Sequence, residues 1–173
     1  ISKVRNNYLN PALYEPESCK PDVFRKIYDG YADWKKQNDT YDMDDMLIEC
    51  KKLLEDHPSI LSKYQRRFPY IQCDEYQDTN YVQRDILYLL AGETKNLCVV
   101  GDDDQSIYAF RGARPDIMLN FDKDFPECHV IHMNTNYRSA GRIVSLADVL
   151  IKENKERFPK QFLSFRGQNG VEG

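Results

Sequence analysis

The sequence lacks the features that mark membrane proteins, metal sites and disulfide frameworks. No apolar run reaches the roughly 18 residues needed for a transmembrane helix, so no span is predicted. The five cysteines are odd in number and form no Cys-X-X-Cys pair, which argues against zinc binding or disulfides. Cys73 and Cys98 lie in apolar runs, and we predict that both are buried thiols of a cytoplasmic protein.

An excess of positive charge is also missing. The net charge is −4 and the isoelectric point is about 5.4. Because proteins that bind nucleic acid over their whole surface are usually basic, any such site here must be local. The 173 residues are 41% hydrophobic and 30% charged, the balance of a folded globular chain. The chain begins with Ile1 rather than Met and has no signal-peptide pattern, so we expect it to be part of a longer protein.

Apolar residues in the first third of the chain recur every three or four positions, as in amphipathic helices. We predict a helix from Pro21 to about Lys36, a second helix capped by Asp42, and a third that begins at Pro58. Before them, residues 1–21 contain three prolines, which favours loops with room for one short helix.

The pattern then changes to short strands that alternate with helices. Strands are predicted at 70–73, 96–101 and 128–133, and helices at 81–90, 115–124 and 140–153. This alternation implies βα units and a mainly parallel sheet, which is the α/β fold class. Three strands are too few for a sheet covered on both faces, so we expect part of the sheet to come from sequence outside this chain.

Two adjacent carboxylates, Asp74 and Glu75, follow the first predicted strand. The carboxyl ends of strands are where α/β sheets place their ligands. Phosphoryl transfer needs one carboxylate to hold Mg²⁺ and one polar group to orient the attacking water, so Asp74 suits the metal and Glu75 the water. An ordinary acidic loop would look the same, and the spacing alone favours neither interpretation.

Two further segments carry candidate binding residues. Tyr108-Ala109-Phe110-Arg111 follows the second strand, and alternating aromatic rings beside an arginine can stack on single-stranded bases. By themselves these residues favour the alternative that both rings are core residues under a turn. Asn136-Tyr137-Arg138-Ser139 precedes the last helix, where Arg138 could bind an anion, although a capping Ser139 explains the same pattern.

Together, three segments resemble successive motifs of the UvrD/Rep/PcrA-type superfamily 1 DNA helicases, in the same order and spacing. They are Asp74–Asn80, Gly101–Ala113 and Asn136–Ser139. Residues 41–47, Tyr-Asp-Met-Asp-Asp-Met-Leu, also resemble the acidic-aromatic motif that precedes the Walker B strand of that family. The resemblance covers roughly residues 40–155.

The resemblance implies an ATP-dependent helicase that moves along single-stranded DNA from 3′ to 5′ and unwinds duplex DNA. It implies that Asp74 holds Mg²⁺ and that Glu75 activates the hydrolytic water. Gln77 would lie near the nucleotide. Gln105 would sense the γ-phosphate of ATP and couple it to DNA.

For DNA and for the rest of the nucleotide site, the resemblance implies five more roles. Tyr108 and Phe110 would contact single-stranded DNA, with Phe110 standing where the family often has Trp. Arg111 would lie at the junction of the two sites. Tyr137 would stack on adenine, and Arg138 would act as an arginine finger on the γ-phosphate.

The phosphate-binding loop of that family is missing, because no Gly-X-X-X-X-Gly-Lys-Ser/Thr occurs. The family's later motifs are missing too, so we expect a central fragment that cannot hydrolyse ATP by itself. The expected fold is a partial RecA-like P-loop NTPase domain with a parallel sheet, preceded by a helical segment. Residues 1–68 would be the helical end of an inserted subdomain and its return, 69–135 the second half of the first RecA-like domain, and 136–173 the start of the link into the second.

Two alternatives stay open at the level of sequence. The parent could be a helicase-nuclease subunit, whose nuclease would lie far downstream, although the close match at Asp74–Asn80 favours the simple helicases. The chain could also be a short natural protein that keeps the fold as a non-catalytic nucleic-acid-binding module.

Overall fold

Residues 1–168 are described by a computed structural model, in which the chain separates into two units, Ile1–Met118 and Leu119–Gly173. The first unit combines helices with a small parallel sheet. The second contains one long helix and another small parallel sheet. The α/β class predicted from the alternation of strands and helices is therefore confirmed.

Two helices of the first unit begin with a side-chain cap on the backbone N–H groups of their first turn. The Asp42 carboxylate accepts a hydrogen bond from the Asp45 backbone N at 2.8 Å, and the Asp45 carboxylate accepts one from the Asp42 backbone N at 2.8 Å. Asn80 and Gln83 form the same reciprocal cap. The helices are α1 (Ser2–Asn6), α2 (Pro21–Gln37), α3 (Met43–Asp56), α4 (Pro58–Arg67), α5 (Tyr81–Ala91) and α6 (Pro115–Leu119). Within residues 1–168, no helix has the length and apolar content needed to cross a bilayer.

Two short parallel strands, β1 (Ile71–Cys73) and β2 (Leu97–Val99), form the sheet of the first unit. Beyond their ends, the Val100 backbone N donates to the Cys73 carbonyl at 2.8 Å. Cys98 is exposed and Cys73 is half-buried, so the prediction of two buried thiols is wrong. Alternate residues of β2 face outward because only one face of this two-stranded sheet is covered by the described residues.

The core of the first unit is centred on the turn that follows β1. Tyr76 and Val82 are completely buried at 0% exposure, and Val4 of α1 is buried at 1%. Helices α1 and α5 contact each other, and each contributes one of these buried side chains. The core therefore lies directly beneath the segment that carries Asp74 and Glu75.

A cluster of ion pairs connects α1, α2 and α3. The Lys35 ammonium lies 2.8 Å from a carboxylate oxygen of Asp42 and 2.7 Å from one of Asp45. The Arg5 guanidinium contacts both carboxylates, at 3.2 Å from Asp42. The Tyr31 hydroxyl donates to Asp42 at 2.9 Å. The carboxylates of the acidic-aromatic segment thus hold three helices together.

We expect this cluster to make the unfolding free energy fall in acid. Burial would raise the pKa of Asp42, but hydrogen bonds from Lys35, the Asp45 backbone and Tyr31 outweigh it and hold that pKa well below its usual range. A carboxylate whose pKa is lowered by folding stabilises the protein above its unfolded pKa of about 3.9, and that stabilisation is lost as the pH falls. Denaturant unfolding between about pH 7 and pH 3 should therefore show a steeper loss for the wild type than for Asp42→Asn.

Asparagine is also a good helix N-cap, so Asp42→Asn removes the titration while keeping the cap. Asp29→Asn, at an exposed position of α2, serves as the control and should keep the pH profile of the wild type. If the Asp42→Asn and wild-type profiles were parallel, the cluster would not be a source of the acid sensitivity.

The second unit differs from the prediction in its strands. Its elements are α7 (Phe121–Asp124), β3 (Thr135–Asn136), α8 (Gly141–Ile151) and β4 (Leu163–Ser164), with β3 and β4 paired in parallel. The predicted strand at 128–133 is wrong, since that segment has no ladder partner within residues 1–168. Its apolar residues are exposed, Ile131 at 85%, because β propensity yields a strand only where a neighbour supplies hydrogen bonds. The helix predicted at 115–124 breaks at Asn120 into α6 and α7.

Candidate functional site

Asp74 and Glu75 lie immediately after β1, and both are exposed at its carboxyl end. An Asp74 carboxylate oxygen accepts a hydrogen bond from the Glu75 backbone N at 2.9 Å. Glu75 has φ 52° and ψ 41°, a left-handed conformation that is uncommon for a residue other than glycine. Such backbone strain costs about 1–3 kcal/mol and is concentrated at functional sites. The turn directs both carboxylates away from the core.

Tyr76 anchors this strained turn to the core. Its ring is completely buried, and its hydroxyl lies 3.5 Å from the Tyr88 hydroxyl. Its backbone N donates to the Val100 carbonyl at 2.9 Å. Glu75 is therefore fixed by β1 on one side and by a buried aromatic ring on the other.

The Gln77 side chain connects the segments that follow β1 and β2. It is buried, with 1% exposure. Its Nε2 donates to Glu75 Oε2 at 2.7 Å, and its Oε1 accepts a hydrogen bond from the Asp102 backbone N at 3.0 Å. Its backbone carbonyl accepts a hydrogen bond from the Ser106 hydroxyl at 3.2 Å. Gln77 therefore bridges the two segments through both ends of its amide.

The Asp102 carboxylate extends this bridge to Gln105. One oxygen accepts a hydrogen bond from Gln105 Nε2 at 2.9 Å. Because Gln77 holds the Asp102 backbone, a chain of hydrogen bonds runs from Glu75 through Gln77 and Asp102 to Gln105. The structure thus brings together three residues that the sequence assigned to one site, Glu75, Gln77 and Gln105.

Gly101 makes room for this bridge. A Cβ at Gly101 would lie 2.5 Å from Gln77 Oε1 and 3.2 Å from the Tyr76 backbone N. The first of these contacts is too short for a real Cβ, so a residue larger than glycine would displace the bridging amide. The glycine two residues after β2 was therefore a sequence signal that could have indicated the bridge.

Replacing Gln77 by Leu should lower the free energy of unfolding by about 1–3 kcal/mol. Leucine removes the acceptor of the Asp102 backbone N and the donor to Glu75 at a buried position. Denaturant unfolding measures the change. Gln72→Leu, at an exposed position of β1, should change stability by less than about 0.5 kcal/mol. Equal losses in the two variants would contradict the bridging role.

A cavity of about 360 Å³ lies beside the two carboxylates, lined in part by Asp74, Glu75 and Asp78. Asp78 Oδ1 is buried and has no hydrogen-bond partner within residues 1–168. Burial, together with the nearby charge of Glu75, raises the pKa of Asp78. Asp74 and Asp78 both line this cavity, and carboxylate oxygens are the hard donors that Mg²⁺ prefers, so the chemistry of the lining fits that ion.

Tyr108, Phe110 and Arg111 form a second group, on the turn Tyr108–Gly112, which we name the aromatic turn. The two ring centres are 5.9 Å apart and tilted by 48°. The Arg111 guanidinium lies 5.1 Å from the Tyr108 ring centre and 5.5 Å from that of Phe110. Phe110 is 72% exposed and Tyr108 38%, so the alternative that both are core residues is wrong. The rings instead offer a surface on which bases could stack.

The segment from Asn136 to Ser139 lies in the second unit, where β3 ends. Asn136 Oδ1 accepts hydrogen bonds from the backbone N of Arg138 at 2.9 Å and of Ser139 at 2.8 Å, which closes a tight turn. The alternative that Ser139 caps the next helix is wrong. Ala140 is the N-cap residue of α8 and makes no side-chain cap bond, because the Ser139 backbone is held in the turn.

Tyr137 has an aromatic neighbour that the sequence did not indicate. Its ring is 62% exposed and lies 5.0 Å from the Phe165 ring, and its carbonyl accepts a hydrogen bond from Arg166 Nε at 2.9 Å. Pairing of β3 with β4 brings Phe165 and Arg166 beside Tyr137. A two-residue strand is too short to leave a periodic signal, so these neighbours could not be predicted.

Comparison with known proteins supports the motif resemblance. The model of the UvrD/REP helicase N-terminal domain matches residues 1–126. The YjcD protein of Bacillus subtilis (strain 168) is 45% identical over 157 residues, which are 90% of this chain and 21% of that protein. ATP-dependent DNA helicase PcrA of Staphylococcus aureus (strain Mu50 / ATCC 700699) is 43% identical over 162 residues, 92% of this chain and 22% of that protein.

A PcrA helicase of Leuconostoc citreum is 39% identical over 170 residues, 97% of this chain and 23% of that protein. The chain thus spans between 21% and 23% of the length of these relatives. The matched domain includes the segments after β1 and β2, while Tyr137 and Arg138 lie beyond residue 126.

Proposed function

Because this chain belongs to the UvrD/REP helicase family, we propose that it forms the central part of an ATP-driven DNA motor. The observation that carries the proposal is the path of hydrogen bonds from Glu75 to Gln105. It joins a carboxylate suited to activating water to the segment that bears the exposed aromatic turn. A motor needs such a link, since DNA binding must change the rate of ATP hydrolysis.

In the nucleotide site, Asp74 would hold Mg²⁺, which when bound neutralises charge on the phosphates of ATP. Glu75 would take a proton from the attacking water. Because Glu75 Oε2 already accepts a hydrogen bond from Gln77, Oε1 is the oxygen left to receive that proton. From the resemblance of their own motif, we assign Tyr137 to stacking on adenine and Arg138 to hydrogen bonds with the γ-phosphate.

On the DNA side, Tyr108 and Phe110 would stack on bases of the single strand while Arg111 supplies positive charge. Gln105 would respond to the γ-phosphate and pass that response to the aromatic turn. The partner would be single-stranded or partly duplex DNA. We take the 3′-to-5′ direction of movement and the separation of the duplex from the resemblance of the motifs.

Within the whole protein, we assign residues 1–68 to the end of a helical inserted subdomain and its return, and 69–135 to the second half of the first RecA-like domain. Residues 136–173 would begin the link to the second RecA-like domain. These 173 residues contain no phosphate-binding loop, which we place in the rest of the protein. The chain by itself should therefore not hydrolyse ATP, because much of the stabilisation of the transferred phosphate comes from that loop.

Phe110→Ala should weaken binding of single-stranded DNA by about five- to 150-fold, because stacking on one base contributes roughly 1–3 kcal/mol. Fluorescence anisotropy of a labelled oligothymidylate, titrated with the full-length protein, measures the affinity. Trp34→Ala removes an exposed ring of α2, 53% accessible and outside the aromatic turn, and should leave the affinity unchanged. Equal affinity of Phe110→Ala and wild type would remove the aromatic turn from the DNA site.

A further inference from the structure

Asn7 is a buried polar residue that contacts the aromatic turn from a distant part of the sequence. It directly follows α1 and is 4% exposed. Its Nδ2 donates to the Gly112 carbonyl at 3.0 Å and to the Lys3 carbonyl at 3.1 Å. One side-chain amide therefore joins the end of the aromatic turn to the backbone of α1.

The backbone at Gly112 is adapted to this close approach. Gly112 has φ +98°, in the left-handed region that favours glycine. A Cβ at this position would lie 3.2 Å from Asn7 Nδ2 and 3.4 Å from the Lys3 Cα. The conformation therefore favours glycine where α1 meets the turn, and a side chain there would press on the Asn7 amide.

The carbonyl that Asn7 holds belongs to the same hydrogen-bonded turn as the two rings. The Gly112 backbone N donates to the Ala109 carbonyl at 3.0 Å, and the Ala113 backbone N donates to the Tyr108 carbonyl at 3.2 Å. Because the rings of Tyr108 and Phe110 are exposed, at 38% and 72%, their direction depends on how this turn is held. The hydrogen bond from Asn7 to the Gly112 carbonyl holds the end of the aromatic turn, and it thereby sets the direction in which both rings point.

We infer that Asn7 is a positioning residue for single-stranded DNA: it holds the aromatic turn in the orientation in which the rings receive bases. The inference rests on the proposed DNA-binding role of the aromatic turn. Asn7 is too deeply buried to touch DNA itself, so its effect must pass through the Gly112 carbonyl. Loss of the amide should weaken DNA binding and leave the chemical step at saturating DNA unaffected.

Asn6 provides a matched control one residue away. It is 3% exposed, and its Nδ2 donates to Asp44 at 2.7 Å rather than to the aromatic turn. The Oδ1 atoms of Asn6 and Asn7 are both buried without a hydrogen-bond partner within residues 1–168. Asn6→Ala and Asn7→Ala therefore remove similar buried amides from the same short helix end, and only the second amide contacts the turn.

The test measures ATP hydrolysis by the full-length protein as a function of oligothymidylate concentration. Asn7→Ala should raise the DNA concentration for half-maximal hydrolysis about three- to tenfold, with kcat at saturating DNA within about twofold of wild type. Asn6→Ala should leave the half-maximal concentration within about twofold. Asn7→Leu has nearly the same size without the amide donor and buries no charge, so it should show the same rise, and it replaces Asn7→Ala if that variant folds poorly.

The outcomes separate the inference from the function on which it rests. If Phe110→Ala raises the half-maximal DNA concentration while both Asn7 variants leave it unchanged, only the role of Asn7 is overturned. If Phe110→Ala has no effect either, the aromatic turn is not the DNA site and both proposals fail. Equal rises in Asn6→Ala and Asn7→Ala would show a general loosening of α1 and would also overturn the inference.

Discussion

Glu75→Gln is expected to lower the DNA-stimulated ATPase rate of the full-length protein by about 100- to 10,000-fold, the usual contribution of a general base. Glutamine has the shape of glutamate but cannot take a proton from water. Its amide oxygen can still accept the hydrogen bond that Gln77 Nε2 gives to Glu75 in the wild type. The substitution therefore removes the base while keeping the bridge to the second segment.

Two control measurements test whether the loss of ATPase activity in Glu75→Gln comes from the missing base. Binding of a labelled ATP analogue should be unchanged in Glu75→Gln, because the base acts on the water and not on the nucleotide. Glu93→Gln, at an exposed turn after α5, should hydrolyse ATP at the wild-type rate. Wild-type turnover by Glu75→Gln would show that another group activates the water.

Arg138→Ala is expected to have the largest effect, a loss of about 1,000- to 100,000-fold in kcat, as for other arginine fingers in phosphoryl transfer. The Asn136 side chain holds the backbone and not the side chain of Arg138, so the turn should persist in the variant. Arg138→Lys should recover little, because an ammonium group cannot form the planar paired hydrogen bonds of a guanidinium.

Arg142→Ala is the control for this experiment. Arg142 is an exposed arginine in the first turn of α8, four residues from Arg138, and its loss should leave kcat unchanged. Single-turnover hydrolysis separates the chemical step from product release. If Arg138→Ala hydrolysed ATP at the wild-type rate in that assay, the arginine would have no role in the transition state.

Helix boundaries could be predicted from the sequence, because neighbouring residues determine where a helix begins. Asp42 lies next to the helix it caps, and Pro58 lies in the first turn of α4, so a few neighbouring residues determine both boundaries. Strands depend on partners elsewhere in the chain. The segment at 128–133 has a strand-like composition but no partner within residues 1–168, whereas the unremarkable residues Leu163 and Ser164 pair with β3.

The candidate site was predictable as a set of residues but not as an arrangement. The motifs gave Glu75, Gln77 and Gln105 by number, and the resemblance placed Gln77 near the nucleotide. The bridging hydrogen bonds of Gln77 depend on the pairing of β1 with β2, and no local pattern predicts which backbone N an amide will meet. The contact of Asn7 with Gly112 spans 105 positions and was beyond sequence reasoning for the same reason.

The most direct test of coupling between DNA binding and ATP hydrolysis is to measure hydrolysis by the full-length protein with and without single-stranded DNA. The link between Glu75 and the aromatic turn predicts slow hydrolysis alone and a strong, saturable increase on addition of oligothymidylate. The increase should be lost in Glu75→Gln and should require more DNA in Phe110→Ala. A rate that is the same with and without DNA would contradict the proposal that this chain couples DNA binding to ATP hydrolysis.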